Sequence, residues 1–439
     1  MTSLRASWDA LSATYWFVPS VMVAGALALS AGMVQLDRAT GAPLLDRLSW
    51  AYTGGPEGAR AVLSTIAASM ITVAGVTFSI TIVALTLASQ QFGPRLLRNF
   101  LRDRGNQIVL GTFVSTFVYC LMVLRTVRGG EGSEFVPNLS VSTGVLLALF
   151  SLGVLIYFIH HVSVSIQASQ IIANVADDLE EVIDDMFPQR IGEGERPAPA
   201  EPPSAGDDTS EPVPSRSSGY VQAIDGARLM EAAVARDLVV RIEARPGTFV
   251  REGSTLLRVS GGRTADDRSD ALRGAFVIGA DRTGTQDVLF FVEQLVELAL
   301  RALSPGVNDP GTAQMCLDRL EQTLCRFASR VWPSPLRFDD AGALRVIAEP
   351  VAFEEVARAA FDEIGRHGRH SVVVTCHLLR VIASVSSCTA RVDDRRALAR
   401  LAASTAERAR EAIAEEADRR RVEACARAAQ SAFDAGATS

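Results

Sequence analysis

Thr65, Ser69, Thr72, Ser79, Thr86 and Gln90 follow one another at intervals of 4, 3, 7, 7 and 4 residues. That spacing puts six oxygen-bearing side chains on one face of a helix. Two chemistries suit such a line. Facing water, hydroxyl and amide oxygens can replace part of a small cation's hydration shell and so line a pore. Facing another helix, they can form interhelical hydrogen bonds worth about 1 kcal/mol each, with Gly75 and Ser79 supplying a small-xxx-small step. Val76 and Val83 interrupt the line, and both readings stay open from the sequence.

A second cluster is acidic. Asp177, Asp178, Glu180, Glu181, Asp184 and Asp185 crowd about two helical turns, where like charges three and four residues apart repel. Pairing with arginines would relieve this repulsion. So would a vestibule in which Asp177, Asp178, Glu181, Asp184 and Asp185 from several subunits concentrate cations. Arg95, Arg98, Arg102 and Arg104 form a third group, with Leu96, Leu97 and Phe100 beside them. These residues suit an interfacial helix that binds anionic lipid headgroups and fixes topology. In the second half, Arg282 and Asp287 precede one amphipathic helix, and Arg301, Asn308 and Asp309 lie at its far end. They are candidates for a ligand or an inter-subunit contact, with Asp287, Asn308 and Asp309 able to bind a ligand or metal; Asn308 and Asp309 alternatively serve the turn and the start of the next helix.

Other chemistry is excluded or unsupported. All 43 basic residues are arginine, so a Walker-A lysine, a Schiff-base lysine and a lipoyl or biotinyl attachment point are ruled out. The six cysteines (Cys120, Cys316, Cys325, Cys376, Cys388, Cys425) have no CxxC spacing. They read as small apolar thiols in a reducing compartment, with neither a zinc site nor a disulfide framework. His367, His370 and His377 have no carboxylate completing a metal set. No GxSxG, HExxH or GxGxxG arrangement stands out. An enzyme is not expected, nor a cofactor.

The elements that carry these groups begin with four apolar stretches, near residues 16–36, 61–89, 108–124 and 141–160, without Asp, Glu or Arg in their cores. Each approaches the roughly 20 residues needed to cross a bilayer. Mean hydropathy of +0.19 over a chain that is 21% charged agrees with apolar residues concentrated in one part. The absence of intramembrane carboxylates argues against a proton-coupled transporter. The arginine-rich loop between the second and third spans predicts a cytoplasmic loop, and with four spans both termini lie inside. A bacterial cytoplasmic (inner) membrane protein follows. Its net charge of −7 gives no global field for nucleic acid.

Residues 1–165 are therefore expected to form a transmembrane domain and 166–190 an acidic juxtamembrane helix. Residues 191–218, rich in Pro, Ser, Glu and Gly, read as a disordered linker. Residues 219–270 show short β patterns, with turns at RPGTFVREG. Residues 271–439 read as helical, ending in one long Arg/Glu-laced helix. The fold class is membrane α-helical plus a cytoplasmic α+β domain.

Several stretches carry a resemblance. FSITIVALTLASQQFGPRLLRNFLRDRGNQIVLGTFVSTFVY (78–119), GYVQAID (219–225), PGTFVREG (246–253), RTGTQDVLF (282–290) and ALRALSPGVNDPGTA (299–313) resemble the signature of a bacterial family of predicted membrane proteins, domain of unknown function 2254. The resemblance implies a polytopic membrane protein with a cytoplasmic domain and brings no reaction, ligand or catalytic residue. PGTFVREGSTLLRV also resembles the turn of barrel-sandwich domains. Without a lysine, only a structural or oligomerising use of that fold is implied. The reading that follows is an oligomeric ion channel or pore-like pathway for small cations, in a bilayer with anionic headgroups, with a cytoplasmic assembly or gating domain. The alternative is a non-conducting scaffold or sensor whose cytoplasmic domain binds a protein.

Overall fold

The computed structural model describes residues 16–40, 54–92, 104–129, 135–165, 167–187, 210–261 and 266–436. The chain divides after Gln170 into two compact units.

The first unit is built from four long helices: α1 (Phe17–Thr40), α2 (Pro56–Phe92), α3 (Arg104–Leu124) and α4 (Asn138–Ser165). All four are long and apolar enough to cross a membrane. Helix α3 is the central one. Its most apolar window is 56% buried against 22–33% for the others. Gly111 lets α1 come close, since a Cβ there would lie 3.3 Å from the Cα of Pro19. Lipid-like packing offers little hydrophobic drive between helices, so polar bonds hold them in register. The Thr116 and Ser151 hydroxyls meet at 3.1 Å, and the Tyr119 hydroxyl donates to the Ser140 carbonyl at 3.0 Å. Asp37 accepts the Leu139 and Ser140 amides at 2.9 Å each and so caps α4. Ile71, Val76, Ile80, Leu149, Phe150 and Ile156 face outward, a surface that a water-soluble helix bundle would not tolerate.

The second unit opens with α5 (Ala168–Met186). Ile172, Val175, Leu179, Val182 and Ile183 form its buried stripe. Two small sheets follow. The five-stranded sheet has the order β1 (Glu211–Pro214), β5 (Thr255–Ser260), β3 (Val239–Ile242), β8 (Leu344–Ile347), β7 (Leu336–Phe338). The three-stranded sheet has the order β4 (Phe249–Val250), β2 (Gly219–Ile224), β6 (Phe276–Gly279). Among the described strands only β3 and β8 pair in parallel. Val221, Leu229, Val240, Leu257 and Leu272 pack between the sheets and the short helices α6 (Gly226–Val234) and α7 (Asp266–Arg273). A helical layer completes the unit: α8 (Val288–Ala302), α9 (Pro310–Ala328), α10 (Phe353–His367), α11 (Val372–Ser387), α12 (Val392–Ala412) and α13 (Glu416–Gly436).

The structure differs from the sequence reading in four places. Part of the expected linker, EPVP, forms β1: Val213 is buried and the flanking prolines sit on an edge strand, where a missing amide costs no ladder bond. The sheets are not confined to residues 219–270, because β6 and the β7–β8 hairpin also contribute, so a barrel sandwich of that segment alone is not formed. The expected long terminal helix is two, α12 and α13, separated by an extended Ile413 whose side chain is buried. Four cysteines are paired: Cys325 with Cys388 and Cys376 with Cys425, with Cα separations of 5.2 and 5.5 Å. Partners 63 and 49 residues apart meet only through the packing of α9, α11 and α13, which local spacing does not encode.

Candidate functional site

Helix α2 has two faces of opposite character. Ala59, Leu63, Ala67, Ala74 and Ala84 are buried against its neighbours, and Thr77 and Thr81 turn inward with them. Thr65, Ser69, Thr72, Ser79 and Thr86 are all on the exposed face. Four of these hydroxyls donate to their own helix, to the carbonyls of Ala61, Ala68, Gly75 and Ile82 at 2.7–2.9 Å. Such bonds satisfy the proton and leave the oxygen lone pairs directed outward as acceptors. Gly75 has open space beside it. The line therefore does not pack α2 against α1, α3 or α4. Gln90 lies within α2, but its side chain is outside the described residues, as are Arg95, Arg98 and Arg102. Arg104 opens α3 and is exposed.

The acidic helix α5 divides its charges between two faces. Asp177, Glu181 and Asp185 are exposed at four-residue intervals, whereas Asp178 and Asp184 are half-buried. Asp184 is gripped by Arg326 and Arg330 of the α9 region, and Glu180 meets Arg326 at 2.7 Å and Gln322 at 2.7 Å. The hydrogen bond from Arg326 holds the Asp184 carboxyl below the ordinary carboxylate range. Arg330 is 4% exposed at its side chain. Beside it Phe187, Phe327, Trp332 and Phe353 cluster, and the Arg391 guanidinium lies 4.0 Å from the centre of the Trp332 ring. Sequence reasoning missed Arg326, Arg330 and Arg391. A signal did exist: Glu180 and Asp184 on one helix match Arg326 in α9 and Arg330 just beyond it, both pairs four residues apart.

Three of the motifs quoted above converge. Arg282 grips Asp287 with two bonds, 2.6 and 3.2 Å, and reaches Glu293 at 2.7 Å. Burial pulls the Arg282 pKa down, but these two carboxylates outweigh it and raise it. Asp287 also accepts the Phe290 amide and so caps α8. Gln286 bonds both backbone groups of Ile224. Gly247 closes the group: its φ is +89°, and a Cβ there would run into the Asp287 carboxylate. RTGTQD is thus clamped to both GYVQAID and PGTFVREG. The Asp287 oxygens are committed to these partners, so the cluster is a structural joint.

At the other end of α8, Arg301 lies in its last turn. Asn308 holds a left-handed φ of +51°. Asp309 caps α9, accepting the Thr312 amide at 3.1 Å and its hydroxyl at 2.6 Å, and the hydroxyl bond lowers its pKa. Fifteen residues of helix, about 22 Å, separate this turn from Asp287. The five candidates therefore do not form one site. His377 meets Asp318 at 2.7 Å, and the other two histidines lie elsewhere. Among the described residues no group of three or more His, Cys, Asp or Glu could hold a metal ion.

On the outward face of α2 the Thr65, Thr72, Ser79 and Thr86 hydroxyls fold back on their own helix and stand exposed among the described residues. Comparisons with known proteins set it in a family context. The chain is 33% identical over 390 residues to the uncharacterized proteins Rv1290c and MT1328 of Mycobacterium tuberculosis and Mb1321c of Mycobacterium bovis, covering 87% of this chain and 73% of each relative. No solved structure matches. A family model described as a predicted membrane protein (DUF2254) matches residues 12–384, and the chain belongs to that family.

Proposed function

We propose that this membrane protein forms an oligomeric, non-enzymatic permeation pathway for small cations, with α2 facing the conducting space. The observation that carries the reading is the line Thr65, Ser69, Thr72, Ser79 and Thr86 on the exposed face of α2. In lipid, such a line gains nothing over Leu or Val. Around a shared axis it offers a ladder of oxygen acceptors to a partly dehydrated ion. The second unit then serves assembly or gating. In this proposal the protein resides in the inner membrane, with the 93–103 loop, both termini and the second unit on the cytoplasmic side, as the arginine count favours.

Flux through purified full-length protein in liposomes and planar bilayers tests this. Cation-selective currents that Ser79→Leu and Thr86→Leu diminish or reshape are expected. Intact oligomeric protein that stays silent under voltage, tension and changes of divalent ion and pH would overturn the pathway. The second unit would then be the working part, as a scaffold or sensor binding a protein.

A further inference from the structure

The end of the four-helix unit opposite Arg104 contains a cavity of about 770 Å³, within the size range of small-ligand sites. Its long wall is α1. Leu27, Ala31, Val34 and Arg38 follow one another at helical spacing and all line it, so the wall runs about 16 Å from an apolar end to a charged rim. The C-terminal end of α3 forms the opposite wall with Met122, and Phe135 closes one side.

Three exposed arginines line it: Arg38, Arg125 and Arg128. None of them forms an ion pair with a carboxylate among the described residues. Asp37, next to Arg38, is committed to capping α4 through the Leu139 and Ser140 amides; Glu131 and Glu134, close to Arg128 in the sequence, lie outside the described residues. Arg38 instead lies 5.7 Å from the centre of the Phe135 ring. The buried Ser30, whose hydroxyl bonds the Leu27 carbonyl, and the exposed Gln35 are the other polar side chains along α1. Three arginines at one end of an otherwise apolar trough suit an amphiphile, with its anionic group held by arginine forks and its hydrocarbon laid along Leu27, Ala31 and Val34.

We infer that this cavity is a binding site for a phosphate-bearing acyl lipid, an anionic phospholipid of the bilayer. The inference is independent of the conduction pathway, since the cavity and the hydroxyl face of α2 share no residue. It also does not depend on which side of the membrane this end occupies. Inorganic phosphate shares the headgroup chemistry, and an experiment must separate the two.

The test uses full-length protein in an uncharged detergent, with native mass spectrometry counting bound lipid during titration with phosphatidylglycerol, phosphatidylcholine or sodium phosphate. Wild type is expected to retain phosphatidylglycerol in preference to phosphatidylcholine, and a tenfold molar excess of phosphate should not displace it. Replacing the rim, Arg38→Gln with Arg125→Gln and Arg128→Gln, should lower phosphatidylglycerol affinity by about tenfold or more, the loss expected for one or two charge-assisted bonds. Ala31→Trp keeps every charge and plugs the trough, and should also weaken the lipid. Arg125→Lys with Arg128→Lys, which keeps the charge, controls for folding and should retain measurable preference. If the glutamine and tryptophan variants, folded by circular dichroism, bind phosphatidylglycerol as wild type does, the site is overturned. Displacement by phosphate alone overturns the lipid and assigns the rim to a free anion.

Discussion

Asp184 shows how one carboxylate can be read in two ways. From spacing alone it belongs to a repelling acidic helix; in the folded chain it is held by Arg326 and by Arg330, whose side chain is 4% exposed. Asp184→Asn should cost about 1–2 kcal/mol, between the limits for exposed and buried pairs, because solvent screens one side of the carboxylate. The sign of the pH effect follows from its lowered pKa. A carboxyl whose folded pKa is depressed contributes stability above its ordinary value near 4 and loses it as pH falls through the folded value. Melting wild type and Asp184→Asn in detergent from pH 7 to pH 3 should show a gap that closes at the acid end. Gly247→Ala is predicted to be more costly than its single methyl suggests. It puts an alanine at φ +89° and drives Cβ into Asp287, for about 1–3 kcal/mol by thermal or denaturant melts. Cys316, free and buried, has its thiol pushed up to about 12 by burial, so native protein at pH 8 should leave it unalkylated.

At the scale of elements, helix α11 is tied to α9 by Cys325–Cys388 and to α13 by Cys376–Cys425. Loops of this length remove about 4 kcal/mol of chain entropy each from the unfolded ensemble. Denatured, unreduced protein should therefore take two alkyl groups, on Cys120 and Cys316, when both bridges are closed. After reduction it should take six, and the melting temperature should drop by several degrees. Taken from cytoplasm without oxidation, the same cysteines should count as six if the second unit faces the reducing side.

The sequence made the local features of these elements legible. Asp309 could be read as a helix start because capping is a matter of a few neighbouring residues, whereas the same role of Asp287 was not read. The four spans were legible because a bilayer demands a length and an apolarity that composition displays. The cysteine bridges and the β3–β8 pairing were not legible, and the Arg326–Asp184 clasp only as matching four-residue charge spacings, because each joins residues separated by roughly 50 to 140 positions through packing that no short pattern records. The β7–β8 hairpin was missed for a lesser reason. Its turn, DDAG, is visible with Gly342 at φ +82°, but its strands are only three and four residues long and are embedded among helices.

For the whole molecule, the charge distribution and the surface of the first unit bear on the same question of assembly. An apolar four-helix unit with Ile71, Ile80 and Phe150 exposed suits lipid, yet the same α2 that carries Ile71 and Ile80 also carries the hydroxyl line between them on its exposed face. A lone subunit has no use for that line; a ring of subunits brings one from each copy to a common axis. Ser79 lies at its middle, beside Gly75, which has no neighbour within 4 Å, so copies can approach closely there. A Ser79→Cys variant in a background with Cys120, Cys316 and the four bridge cysteines replaced by Ser or Ala should cross-link under mild oxidation in native membranes. The product should be a band of about twice the 46.9 kDa chain mass. Ile80→Cys, about 100° round the helix from Ser79, should cross-link less. Equal cross-linking at both positions would mean random collision in the bilayer and no shared axis. With none at either, while the protein migrates as a monomer in native gels, the hydroxyl line has no partner subunit and the permeation pathway loses its structural basis.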